Sequence, residues 1–336
     1  MKKKENYLST ALLSVVIIFG TGCSKNASPG EDNFAGELQI TAELDGLSSS
    51  ISTRSVVTGE SFNDNSTIGI FIDGEGYTPT EVIYTYSNST ESWMISGDNI
   101  YLSEYTATVY GHYPTEEPSS SESVKVTTED FSIPVTVQNP EDFGATDQAD
   151  YMYALASVKN KIPSSLATVD KENNIASLVF IHALSELTFS VKLADDFKGS
   201  GSLTDIKLSK NREDFFWGTG TMSLEASPEN RFYSLNTAEE LTFSGIRNLS
   251  ATASDINVLV VPASADNITI TLYLVINGVS CTATGVLPVG SGDSAFSKWE
   301  AGNNYQYTVT VNGGELFLES GISDWNDISA GEVNVE

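Results

Sequence analysis

Few residues in this chain are equipped for chemistry: 336 residues hold two cysteines, two histidines and seventeen Lys and Arg. The clearest chemical setting is that of Cys23, which follows Gly20-Thr21-Gly22 directly. Upstream, Lys2, Lys3 and Lys4 form a basic start, and Leu8 to Phe19 is an apolar run shorter than the ~20 residues of a spanning helix. Residues 1–22 therefore read as a signal peptide. A cysteine placed straight after small residues suits lipid transfer to its thiol, so Cys23 is the expected lipidation site and first mature residue. The expected location is the cell surface, lipid-anchored in the cell outer membrane. Cys281, the other cysteine, lies in the alternating stretch 279–285, and once Cys23 is acylated no internal disulfide can form.

The search for an active site ends without one. His112, in Tyr110-Gly-His-Tyr-Pro114, and His182, in Phe180-Ile-His-Ala-Leu184, are expected in different domains as satisfied strand or turn residues, and no His-x-x-x-His or Cys-x-x-Cys pattern is present. No Gly-x-Ser-x-Gly elbow occurs, since Gly290-Ser-Gly292 lacks the spacing. Gly74-Glu-Gly76 has no following Lys and is flanked by acids, which makes it a hairpin turn rather than a phosphate loop. Carboxylates are so abundant, 45 in all, that a glycosidase pair such as Asp195 and Asp196 has no specificity as a signal. Asp64, Asp147 and Asp150 lack calcium-loop spacing. The expectation is a chain that is not an enzyme, with no catalytic residues, no metal and no cofactor. Four tryptophans and fourteen tyrosines supply aromatic faces, and Phe215-Phe216-Trp217 is the candidate surface contact.

Charge narrows the partners. The formal net charge is -28, and losing the leader's three lysines and one glutamate, net +2, takes it to -30. With Lys and Arg scattered, nucleic acid is excluded as a partner.

The elements that would position these residues are strands. Residues 23–36 are polar with Pro and Gly, a flexible tether. From Glu37 the period is two: Leu38, Ile40, Ala42 and Leu44 share one face of a half-buried first strand. Further strands are expected at 67–72, 82–86, 100–110, 123–128, 131–137, 176–193, 204–208, 255–261, 267–276, 279–287 and 305–311, with no sustained helical period. Ile276-Asn-Gly-Val279 predicts a hairpin across 267–287, because both central residues of such a turn need positive φ. Short strands at this spacing predict an all-β protein of two tandem β-sandwich domains, 37–174 and 175–336, divided at the polar break 169–174.

Several motifs in order resemble the fimbrillin (Mfa-like, type V pilin) family of Bacteroidetes lipoproteins. These are Ser52-Thr-Arg-Ser55 before Ile68-Gly-Ile-Phe71, then Trp93, Tyr110-Gly-His-Tyr-Pro114 and Asp150-Tyr-Met-Tyr-Ala154. Later come Phe180-Ile-His-Ala-Leu-Ser-Glu-Leu-Thr-Phe189, Val260-Val-Pro262, Trp299-Glu-Ala-Gly302 with Tyr305-Gln-Tyr-Thr308, and Ile322-Ser-Asp-Trp325. The resemblance implies transthyretin-like sandwiches and cleavage by an arginine-specific protease between Arg54 and Ser55, in the loop after the first strand. Removing the strand that carries Leu38, Ile40, Ala42 and Leu44 would bare an edge and groove for a neighbouring subunit's strand. Only eleven residues follow Trp325, which favours a tip or accessory pilus subunit over a shaft subunit. The expected partners are other pilus subunits and a host or bacterial surface ligand, glycan or protein, in cell adhesion. The alternative is an outer-membrane surface glycan-binding lipoprotein that keeps its first strand and uses Trp217.

Overall fold

The computed structural model describes residues 36–45, 62–116, 123–139, 142–143, 148–159, 162–210, 215–228, 230–290, 295–312 and 315–324. Ala35–Glu336 form one compact unit. Among the described residues every regular element is a strand.

The first nine strands are β1 (Gln39–Leu44), β2 (Thr67–Asp73), β3 (Thr80–Ser87), β4 (Ser92–Ser96), β5 (Ala107–Tyr113), β6 (Ser132–Val137), β7 (Met152–Ala156), β8 (Ala167–Val169) and β9 (Ile175–His182). All but β6 join one sheet in the order β1-β9-β7-β5-β2-β3-β4, with β8 on β5. The β2–β3 turn is tight: Gly76 has φ +82° and the Tyr77 N–H donates to the Gly74 carbonyl at 3.1 Å. β1 pairs with β9 in parallel, from Gln39 opposite Ile175 to Leu44 opposite Phe180. Its leading end pairs on the other side, where the Leu38 N–H donates to Ile100 and the Leu102 N–H to Gly36, both at 2.8 Å. The sheet therefore curls around a core that includes Leu38, Ile40, Leu44, Ile70, Val109, Met152 and Phe180.

The remaining strands are β10 (Ser185–Leu193), β11 (Gly201–Ser209), β12 (Phe215–Ser223), β13 (Phe232–Tyr233), β14 (Asn236–Ala238), β15 (Glu240–Leu249), β16 (Ser254–Val260), β17 (Ala263–Ser264), β18 (Thr269–Ile276), β19 (Val279–Val286), β20 (Lys298–Trp299), β21 (Asn303–Asn312) and β22 (Glu315–Asp324). Two four-stranded sheets, β16-β10-β21-β22 and β15-β11-β18-β19, face each other across one core. Leu187, Phe189, Val258 and Tyr307 come from one sheet and Ile206, Phe243, Ile270 and Leu272 from the other, which is sandwich packing. A third sheet joins distant parts of the chain: β12 pairs with β6 as well as with β13 and β14. Its core, with Phe71, Ile133, Val135, Tyr151, Met222 and Val261, draws on both halves of the sequence.

The Asn-Gly hairpin forms as its residues require. Asn277 and Gly278 have φ +51° and +80°, and β18 and β19 pair from Ile276 opposite Val279 to Thr269 opposite Val286. Other boundaries differ from the sequence reading. The 123–128 stretch makes only isolated bridges, Ser123 to Glu116 and Thr127 to Ser132. The 176–193 run is two strands, because the chain leaves one sheet at His182 and enters another at Ser185. The polar break 169–174 is a tight turn, with Asp170 accepting from the Glu172 and Asn173 N–H groups, and β9 beyond it remains in the first sheet. β4, β7, β8, β12, β13, β14, β15, β17, β20 and β22 lie outside the stretches expected as strands, being short or interrupted in their alternation.

Two glycines carry the crowding of the first sheet. The His112 ring lies across Gly69, its opposite number on β2, so a Cβ there would fall 2.0 Å from Nε2. At Gly111 a Cβ would fall 2.6 Å from that of Ala154. Gly69→Ala is expected to cost about 1–3 kcal/mol by overpacking, read as a lower urea midpoint, and less in a His112→Ala background, where the ring is gone.

Candidate functional site

The seat of β1 is built from residues far apart in sequence. Along β1 the alternation places Leu38, Ile40 and Leu44 inward, at 4, 8 and 6 % exposure, with Ala42 half-buried and Gln39, Thr41 and Glu43 at the surface. Each large apolar side chain buried this way is worth about 1.5–3 kcal/mol relative to exposure. The groove beneath is floored by Leu178 and Phe180 of β9 and walled by Tyr84, Trp93, Ile100 and Leu102. Within the groove the polar contacts are long, the Tyr84 hydroxyl donating to the Leu38 carbonyl at 3.4 Å and the Trp93 indole to the Ala42 carbonyl at 3.5 Å, whereas toward β9 the Asn174 amide donates to the Glu37 carbonyl at 2.7 Å. Burial pushes the Tyr84 phenol up to about 12, and the Glu37 carboxylate beside it adds to the effect.

Just ahead of β2 the chain is pinned again. Phe62 is buried, edge-on to Trp93 at 4.8 Å and to Phe180 at 5.6 Å between ring centroids. Arg54 and Ser55, the expected cleavage pair, lie between β1 and Phe62 and outside the described residues, as does Cys23. The sequence reading did not single out Phe62; a lone Phe after a serine-rich stretch carries no periodicity.

The histidines occupy one sheet, on strands flanking β7, rather than separate domains. His112 is fully buried, with Nε2 2.7 Å from Glu81 Oε1 and Nδ1 3.0 Å from the Pro114 carbonyl oxygen. Both ring nitrogens lie against protein oxygens inside the sheet, which encloses the ring within the fold. His182 Nδ1 lies 2.8 Å from Asp150 Oδ1, both side chains being wholly inaccessible. Among the described residues no group of three His, Cys, Asp or Glu side chains could hold a metal ion.

The Phe215-Phe216-Trp217 segment begins β12, and the strand splits its aromatics. Phe215 is 1 % exposed and stacks on Trp299, centroids 6.3 Å apart. Phe216 and Trp217 are 39 and 42 % exposed, so the candidate contact shrinks to these two. Gln148 was also unforeseen: its buried amide donates to the Gln138 and Leu259 carbonyls and accepts from the Leu259 N–H, filling the place of a strand beside β16.

The molecule is thus an all-β protein whose first strand closes a sheet across a seam, beside a β-sandwich. The fimbrillin-like family model matches residues 53–325, and the chain belongs to that family. Among solved structures, a candidate cell-adhesion protein from Bacteroides ovatus ATCC 8483 is 14% identical, with a TM-score of 0.55 over 86% of this chain and 97% of that one. Another from Bacteroides uniformis ATCC 8492 is 17% identical, with a TM-score of 0.52 over 86% of this chain and 98% of that one. At these identities the likeness shows the fold. No curated protein matches the sequence.

Two outcomes follow from the geometry. Phe215→Ala should cost about 3–5 kcal/mol, whereas Trp217→Ala should change stability by less than about 0.5 kcal/mol; urea unfolding of the pair distinguishes buried from exposed. An unfolded tyrosine titrates near 10 and folded Tyr84 at about 12. The unfolded state then releases a proton that the fold retains, so this contribution is complete below pH 10 and is lost as pH rises from 10 toward 12. Unfolding midpoints measured from pH 8 upward should fall in that window, and less so for Tyr84→Phe.

Proposed function

We propose that this chain is a fimbrial subunit at the cell surface that serves in adhesion, and that β1 is its removable strand. Family membership supports the coarser statement. One observation carries the finer one: β1 sits at the end of the sheet order, bonded in parallel to β9 and bridged to 100–102, with Leu38, Ile40 and Leu44 filling a groove. Its loss would free the β9 edge and uncover apolar surface, while Phe62 and all later strands keep their own contacts. An extended strand from a neighbouring subunit would restore both the ladder and the burial.

In this reading the chain is exported as a lipoprotein through Cys23, cut by an arginine-specific protease between Arg54 and Ser55, and assembled by donor-strand exchange as a tip or accessory subunit. The second reading, a surface glycan-binding lipoprotein retaining β1, draws on the exposure of Phe216 and Trp217. The N-terminal residue and intact mass of the protein recovered from surface appendages and outer membrane separate the two. A chain beginning at Ser55 is the expected result, and one beginning at lipidated Cys23 throughout would sink strand removal and favour glycan binding.

A further inference from the structure

The sheet edges of the C-terminal sandwich are treated unequally. At β16 the Gln148 amide occupies both backbone groups of Leu259. At β15, Phe143 packs over Gly245 while the Arg247 guanidinium donates to the Phe143 carbonyl at 2.9 Å. At β22 the Gly290 N–H donates to the Ser320 hydroxyl oxygen at 3.0 Å. β19 has β18 on one side and is the last strand of its sheet.

The turn fixes which backbone groups of β19 are open. The pair closing a two-residue hairpin is hydrogen-bonded, so Val279, Cys281, Ala283 and Gly285 bond to β18, in keeping with the Leu287 N–H donating to the Ile268 carbonyl at 2.8 Å. Ser280, Thr282, Thr284 and Val286 then direct their N–H and C=O groups outward, four donors and four acceptors in a row. Their side chains are exposed, with Val286 at 63 % and Val279, at the strand's start, at 67 %.

Natural sheets guard such an edge with charge, proline, a bulge or a cover. β19 lies in the longest charge-free stretch of the chain, Asn267 to Gly292, 26 residues without Asp, Glu, Lys or Arg in a protein of net charge -28. It contains no proline, and its pairing with β18 is regular throughout.

We propose that β19 is a homotypic interface, pairing antiparallel with β19 of a second copy of this chain about a two-fold axis at Ala283. This register matches every open residue, Ser280 with the other copy's Val286 and Thr282 with its Thr284, giving eight backbone hydrogen bonds. It joins the two sheets into one of eight strands. Charge favours a like copy at this edge of the sandwich over the others: two chains of -28 repel, and of the edge strands β15, β16, β19 and β22 only β19 carries no charged side chain to meet its counterpart. The nearest acid on this sheet's outer face is Asp205 of β11, two strands inward. The two Asp205 residues would stand about 24 Å apart, five strand spacings, well beyond the screening length of about 8 Å at physiological ionic strength. This pairing uses an edge remote in sequence from β1 and does not depend on the fimbrial reading.

The test uses residues 35–336, the compact unit, in sedimentation equilibrium up to ~100 µM, a concentration at which micromolar self-association registers. The expected result is a monomer–dimer equilibrium, tighter in about 0.5 M than about 0.05 M NaCl because salt screens the mutual repulsion. Thr282→Lys/Thr284→Lys, with an unchanged melting curve, should weaken it at least about tenfold by setting like charges across the seam. In the unmutated protein, amide exchange supplies a check independent of mutation: the Ser280, Thr282, Thr284 and Val286 amides should gain protection as concentration rises, while those of Cys281 and Ala283 are protected throughout. A strict monomer at the highest concentration overturns the proposal. So does a dimer indifferent to the double lysine variant, or one in which those four amides stay unprotected.

Discussion

The first sheet depends on how a strand with two neighbours meets the needs of two edges. A curled sheet that fails to close leaves a row of unpaired N–H and C=O groups on each side. β1 answers both, lying against β9 along its length and against Ile100–Leu102 at its start. The core beneath it is therefore partly roofed by a segment whose covalent link to the rest runs through one connection. Hydrophobic burial and the backbone ladder to β9 hold it, the side-chain contacts of Tyr84 and Trp93 being long. What the groove asks of such a strand is alternation and burial rather than a particular side chain.

Elsewhere the protein satisfies buried polarity with side chains in place of strands. His112 joins Glu81 of β3 to the Pro114 carbonyl, and Glu81 also accepts from the Val126 N–H, so a single carboxylate ties the curled sheet to the irregular 123–128 stretch. The Arg231 guanidinium lies 3.3 Å from the centre of the Tyr153 ring and donates to the Ser223 and Glu225 carbonyls, holding the third sheet against β7. Its removal from water lowers its pKa, an effect that Tyr153 offsets in part. In the sandwich the Trp299 indole donates to the Tyr307 hydroxyl at 2.8 Å, and burial raises the phenol of Tyr307. These contacts join segments whose strands do not pair.

What the sequence made legible was local. The alternation of β1 and the Asn277-Gly278 turn follow from periodicity and positive φ, and both appear in the structure. The Phe180–Phe189 and Trp299–Gly302 motifs pointed to the family that the chain proves to belong to. Long-range pairing was not legible. Nothing in the 215–223 stretch announces that its first aromatic faces Trp299 while its second half pairs with β6, some eighty residues earlier. Nor does composition show that β9 would prefer the first sheet; that choice lies in the parallel register with β1, which a pattern of period two leaves open.

Gln148 carries a consequence of a different kind. One amide reaches Gln138, ten residues behind it, and both backbone groups of Leu259, 111 residues ahead. A loop is ordinarily where a lineage can insert or delete residues freely. Here Gln148 is held to Gln138 and to Leu259 at once, so a change of length beside the glutamine must leave its amide in register with β16. Drift in this part of the chain should therefore run through substitutions that keep its length, with the indels of related sequences gathering elsewhere.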